Sequence, residues 1–135
     1  MRTISDAGLA VGLRTTRFTL RRFGFRRTVS ILSRLPAPMN RCPVDPVTPI
    51  GWAEHIRGVS GRPYGGTCLD RSVLLWFLMR QRGLDGRLRI GVTRDDEELV
   101  GHAWVELNTR VVNDEPDVAE HYAVFDEDPT GIVFR

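Results

Sequence analysis

Hydrophobic and polar positions along the 135-residue chain fall into two regimes, helical spacing in the first two thirds and strand-like alternation afterwards. Helical spacing predicts amphipathic helices over Ala7 to Arg22 and Arg26 to Leu35, interrupted at Phe23-Gly24-Phe25. Five of the eight prolines follow, from Pro36 to Pro49, and exclude regular structure between Pro36 and Val47. Thr48 is placed to cap a further helix, with Pro49 at its first position and Trp52, Ile56 and Val59 on its apolar side.

The most apolar helix is predicted next. Thr67 is its N-cap, Asp70 completes a capping-box pair, and Gly83 closes it. From Val73 to Met79 apolar residues occupy nearly the whole circumference, which places this helix in the core. Beyond it the period changes to two. Strands are predicted over Arg87 to Thr93, Val100 to Leu107, Arg110 to Asn113 and His121 to Phe125, with Gly131 to Phe134 as a last candidate and Arg94 to Glu98 as a charged loop. Helices followed by an antiparallel sheet make an α+β domain. Its organisation reads as a basic helical region and proline-rich connector over 1–47 and a core over 48–135, together one domain.

Composition narrows the function. Cys42 and Cys68 are the only cysteines and lie in no CxxC or Cys/His metal spacing, so neither a metal nor any other cofactor is expected. No glycine loop of the phosphate-cradling kind is present. No stretch is long and apolar enough to span a membrane, and the N-terminus lacks a signal-peptide core, so the expected location is the cytoplasm. All 19 basic residues are arginine. Nine of them stand against Asp6 alone in residues 1–41, a charge of +8, while ten arginines and 16 acids leave 42–135 at −6. An organelle transit peptide shares the composition of the first segment, but its helical spacing assigns it to the domain. Aromatics are little interleaved with the arginines and no nucleic-acid motif occurs, so no nucleic-acid partner is expected.

Candidate chemistry centres on Cys68. Free cysteine is usually core filling, yet this one occupies the first position of a capped helix, where unpaired N–H groups and the helix dipole favour an anion such as a thiolate. Gly65 and Gly66 leave room beside it, and the rigid helix would hold its reactive end at the surface. A nucleophilic thiol requires a base and the base an orienting group. Of three histidines, His55 falls on a helix surface and His121 in an acidic stretch, while His102 heads a strand after Gly101. A hairpin turn centred near Asn108 gives paired residues an index sum of about 216 and sets Asp114 opposite His102. Asp126 and Asp128 are the rivals for the orienting role, and a one-residue shift of register would put Asp114 on the wrong face.

The stretches "GGTCLDRSVLLWFLMRQRGLDGRLRIGV", "GHAWVEL" and "RVVND" resemble the transglutaminase-like cysteine peptidases of lasso-peptide biosynthesis, from about Trp52 to Phe125. That resemblance implies a papain-like scaffold and a Cys-His-Asp triad, with Cys68 as nucleophile, His102 as general base and then acid, and Asp114 as orienter. It implies removal of a leader peptide from a ribosomally made precursor through an acyl-enzyme. A transglutaminase-like amidase or acyl transferase and a non-catalytic peptide-binding scaffold are the alternatives. The implied partners are the precursor's leader, a separate leader-recognition protein, and a macrolactam cyclase resembling asparagine synthetase.

Overall fold

The structure is a computed structural model and describes residues 6–35, 47–60, 67–125 and 132–134. The proline-rich connector with Cys42, the glycines Gly65 and Gly66, Gly131, and the rival carboxylates Asp126 and Asp128 lie outside the described residues.

Three helices come first, α1 (Asp6–Arg34), α2 (Val47–Ser60) and α3 (Cys68–Gln81), followed by β1 (Arg87–Asp95), β2 (Glu98–Leu107), β3 (Arg110–Val111), α4 (Val118–His121), β4 (Ala123–Phe125) and β5 (Val133–Phe134). The α+β class stands: N-terminal helices, the Cys68-bearing α3 among them, pack against a sheet of order β3-β2-β1-β4. The expected break in the first helix falls at Gly24, whose φ of 82° and ψ of 170° only glycine adopts readily, so α1 is two helical halves joined at a kink. Helix α2 begins at Val47, which puts Thr48 inside it rather than at its cap.

Both ends of α3 are set by local chemistry. The Thr67 side chain accepts from the Asp70 N–H at 3.2 Å and the Asp70 carboxylate accepts from the Thr67 N–H at 2.9 Å. At the other end Gly83, with φ 78°, lets the Gly83 and Leu84 N–H groups bond to the Arg80 and Met79 carbonyls, the double bond of a Schellman motif. Between these ends Leu74, Leu75, Trp76 and Met79 are buried against Leu9 and Leu13 of α1, Ile56 and Val59 of α2, and Val105 of β2. The first segment of the chain therefore shares the core of the rest.

The sheet departs from expectation in three places. Strands β1 and β2 pair from Arg87↔Glu106 to Asp95↔Glu98, so the anticipated charged loop shrinks to Asp96 and Glu97, with Arg94 and Asp95 paired in the ladder though both exposed. His121 belongs to the short α4, not to a strand, and β4 starts two residues later. Strand β5 does pair, but parallel to β2, with Val100↔Val133 and Gly101↔Phe134. Strands β3 and β5 thus share one edge of β2 and, among the described residues, leave its middle, from His102 to Val105, without a strand neighbour on that side.

Candidate functional site around Cys68 and His102

Residue Cys68 opens α3 and is buried, with 4% of its surface exposed, rather than presented at the surface. It lines a pocket of about 400 Å³ whose walls come from α2, the first two turns of α3, β2, and the segment after β3. His102, Asn113 and Asp114 line the same pocket. Arg57 of α2 closes one side and donates from Nη2 to the Asn113 carbonyl at 3.4 Å. His55 and His121 are both exposed, and His121 bonds to Asp117, one turn earlier.

The Asp114 carboxylate holds the His102 ring. The ring Nε2 is hydrogen-bonded to Asp114 Oδ2, and Cys68 lines the same pocket, near enough to influence its protonation. The pKa of His102 is raised above the usual histidine value, chiefly by the hydrogen bond with Cys68; burial opposes this, and Asp114 reinforces it. The other Asp114 oxygen accepts from the Glu115 N–H at 2.7 Å, which fixes the plane of the carboxylate. On its flank the imidazole stacks on Tyr122, with centroids 4.9 Å apart and planes 18° from parallel, and Trp104 lies 6.0 Å from it. Tyr122's phenol is pushed up, first by burial and then by the charges of Asp114 and Cys68.

The structure brings Asp114 to His102 by a route the hairpin register does not provide. The turn at Asn108 and Thr109 has positive φ at both residues, 52° and 67°, as a two-residue hairpin turn demands. Pairing is therefore Leu107↔Arg110 and Glu106↔Val111, an index sum of 217 rather than 216. Continued, that ladder would set Glu115 opposite His102. It does not continue. After the Val112 N–H bonds to the Val105 carbonyl at 2.9 Å, the chain leaves the strand, and the Asn113 side chain takes the Val105 N–H at 2.8 Å in place of a backbone carbonyl. Asp114 then lies beside the imidazole. The residues behind this are Asn113 and Ser72, which the sequence reading passed over. Ser72 stands one helical turn after Cys68, but its partners are distant in sequence, and only the "RVVND" stretch marked Asn113 as near anything important.

Among the described residues no group of three or more His, Cys, Asp or Glu could hold a metal ion. No described helix is long and apolar enough to cross a membrane. Neither a curated protein nor a solved structure gives a significant match to the chain. A family model does: residues 10–126 match the transglutaminase-like superfamily, the family associated with the B proteins of lasso-peptide biosynthesis, and the chain belongs to it.

Proposed function

We propose that the chain is a cytoplasmic cysteine peptidase that cuts the leader from a ribosomally made lasso-peptide precursor. The observation that carries the proposal is the His102 ring, bonded to the Asp114 carboxylate and lining one pocket with Cys68, the two groups that raise its pKa. Cys68 is the nucleophile, His102 the base and then the acid, and Asp114 holds the imidazole in the tautomer and orientation the transfer needs.

The thiolate sulfur attacks the scissile carbonyl and a C–S bond forms. As the C–N bond breaks, the imidazolium gives its proton to the departing nitrogen. Because the leader precedes the core, the leader becomes the thioester and the core leaves first with a free α-amine. His102 then takes a proton from water, the hydroxide adds to the thioester, and the C–S bond breaks to release the leader carboxylate and restore the thiol. The Cys68 N–H, at the first position of α3, has no intrahelical acceptor and is one donor to the oxyanion. The freed amine is the group a macrolactam cyclase resembling asparagine synthetase would acylate. A separate leader-recognition protein would raise the local concentration of substrate to about millimolar.

Mass spectrometry of a full-length precursor incubated with the protein and the recognition protein tests this. Two products whose masses sum to precursor plus one water are expected, with no cleavage by Cys68→Ala or His102→Ala and a severe but incomplete loss with Asp114→Asn. Cleavage by folded Cys68→Ala overturns the proposal. Transfer of the acyl group to an added amine without net hydrolysis assigns the same residues to an acyl transferase instead.

A further inference from the structure

We propose that Ser72 and Asn113 are positioning residues for the Cys68–His102–Asp114 site, forming one hydrogen-bonded bridge that ties the three parent elements together. The proposal rests on the peptidase reading above for what the site does, and on the middle of β2, which no described strand covers on one edge, for why a bridge is needed.

Backbone polar groups of a strand alternate between its two edges. The groups of Ala103 and Val105 point to the side where β3 and β5 leave a gap, so they require partners other than a strand. The Val105 carbonyl takes the Val112 N–H, and side chains supply two more partners. The Asn113 Oδ1 accepts from the Val105 N–H at 2.8 Å. The Asn113 Nδ2 donates to Ser72 Oγ at 3.0 Å, and Ser72 Oγ donates to the Ala103 carbonyl at 2.9 Å. Ser72 is fully buried, so its hydroxyl has no solvent to turn to.

Each end of this bridge is next to a site residue. Ser72 follows Cys68 by four positions and shares its helix face. Ala103 is bonded to His102, and Asn113 to Asp114. A rotation of α3 about its axis, a slide of β2, or a return of the 112–114 segment to the ladder would each break one of the three bonds. An amide and a hydroxyl are the right groups for the task, because the amide accepts and donates at once and the hydroxyl relays its bond onward. Neither touches the scissile bond; both act through the geometry of the residues that do.

Ser72→Ala, Asn113→Ala and the double variant test this, each confirmed as folded by circular dichroism and a thermal melt. Two readouts are taken: kcat and KM for precursor cleavage, and the rate of Cys68 alkylation by iodoacetamide at about pH 6 relative to about pH 9, which needs no peptide. Each single variant is expected to lower kcat by about 10- to 100-fold with KM within about threefold, and to lower the alkylation ratio by about tenfold. The double variant should lose no more than the worse single one, since one bridge is broken in each case. Folded variants with wild-type kcat and a wild-type alkylation ratio overturn the proposal, as does a loss confined to melting temperature. If neither single variant folds, the bridge is a stability element and the proposal is also overturned. A normal wild-type alkylation ratio without precursor cleavage removes the peptidase assignment and leaves the bridge to be judged on alkylation alone.

Discussion

Replacing Gly91 with alanine should damage both the fold and the site, although Gly→Ala within a strand ordinarily stabilises by about 0.5–1 kcal/mol. Gly91 is the β1 partner of His102 on one side and of Val124 of β4 on the other. A Cβ there would stand 2.5 Å from the Tyr122 Cβ and 3.1 Å from two ring carbons of Trp104. Trp104 is fully buried and cannot retreat. The Tyr122 Cβ is fixed to its own backbone, so relief requires moving the entry to β4 by about 1.3 Å to reach an ordinary contact near 3.8 Å. Overpacking of this kind costs about 1–3 kcal/mol, which exceeds the intrinsic gain and decides the sign. For a domain of this length the melting temperature should fall by about 2–8 °C. Tyr122 also carries the ring stacked on His102, and a displacement of about 1 Å at a catalytic group can cost about 100-fold in rate. Thermal or urea unfolding and precursor cleavage measure the two effects. Gly58→Ala is the control: it lies in α2 with nothing within 4 Å of the added carbon and should stabilise by about 0.5–1 kcal/mol. A Gly91→Ala protein as stable and as active as the wild type would refute the reasoning.

Two further outcomes follow from the site and its helix. The raised pKa of His102, due first to Cys68 and reinforced by Asp114, means that the folded protein binds that proton more tightly than the unfolded chain. This stabilisation is fully present below the unfolded value of 6.5 and is lost as pH rises through the higher folded value. Urea titrations should therefore show wild type gaining on His102→Gln toward acid pH and losing that gain toward alkaline pH; a gap that widens with rising pH contradicts the assignment. Thr67→Ala removes the side-chain acceptor at the start of α3 and should lower stability by about 0.5–2 kcal/mol in urea unfolding, with Asp70→Ala adding little beyond it because both bonds belong to one box.

What the sequence made legible was local. Thr67, Asp70 and Gly83 mark the ends of α3 because capping depends on neighbours within four residues, and Gly24 breaks α1 for a reason contained in its own backbone. The pairing of His102 with Asp114 was legible too. The path to that pairing was not. A turn centred on Asn108 and one spanning Asn108 and Thr109 differ by one in register, and one is enough to exchange faces. Asp114 reaches His102 because the chain leaves the ladder at Asn113, whose side chain bonds to a hydroxyl on α3 some forty residues away. Helix α4 spans only Val118–His121, too short to show a period. What approaches Gly101 was not legible: Ile132 and Phe134 fill the space its missing side chain leaves, in a parallel pairing that alternation cannot orient.

The kink at Gly24 sets how far stability is shared along the chain. A straight helix of 29 residues would be about 44 Å long, whereas a domain of this size has a radius of gyration of only about 14 Å. One end would project into water. The bend at Gly24 instead lets the first half bury Leu9 and Leu13 against Leu74 and Leu75, while the second half packs Val29 and Leu32 on the core and takes a bond from Arg80, at the far end of α3 from Cys68, to the Ser33 carbonyl at 3.0 Å. The kink lets the halves act as separate cooperative units, joined at a residue whose added Cβ would have nothing within 4 Å. Hydrogen exchange should reveal the division: amides beyond the hinge open in a sub-global event that leaves those of α3 and β2 protected, so this end of the molecule can yield without disturbing the thiol.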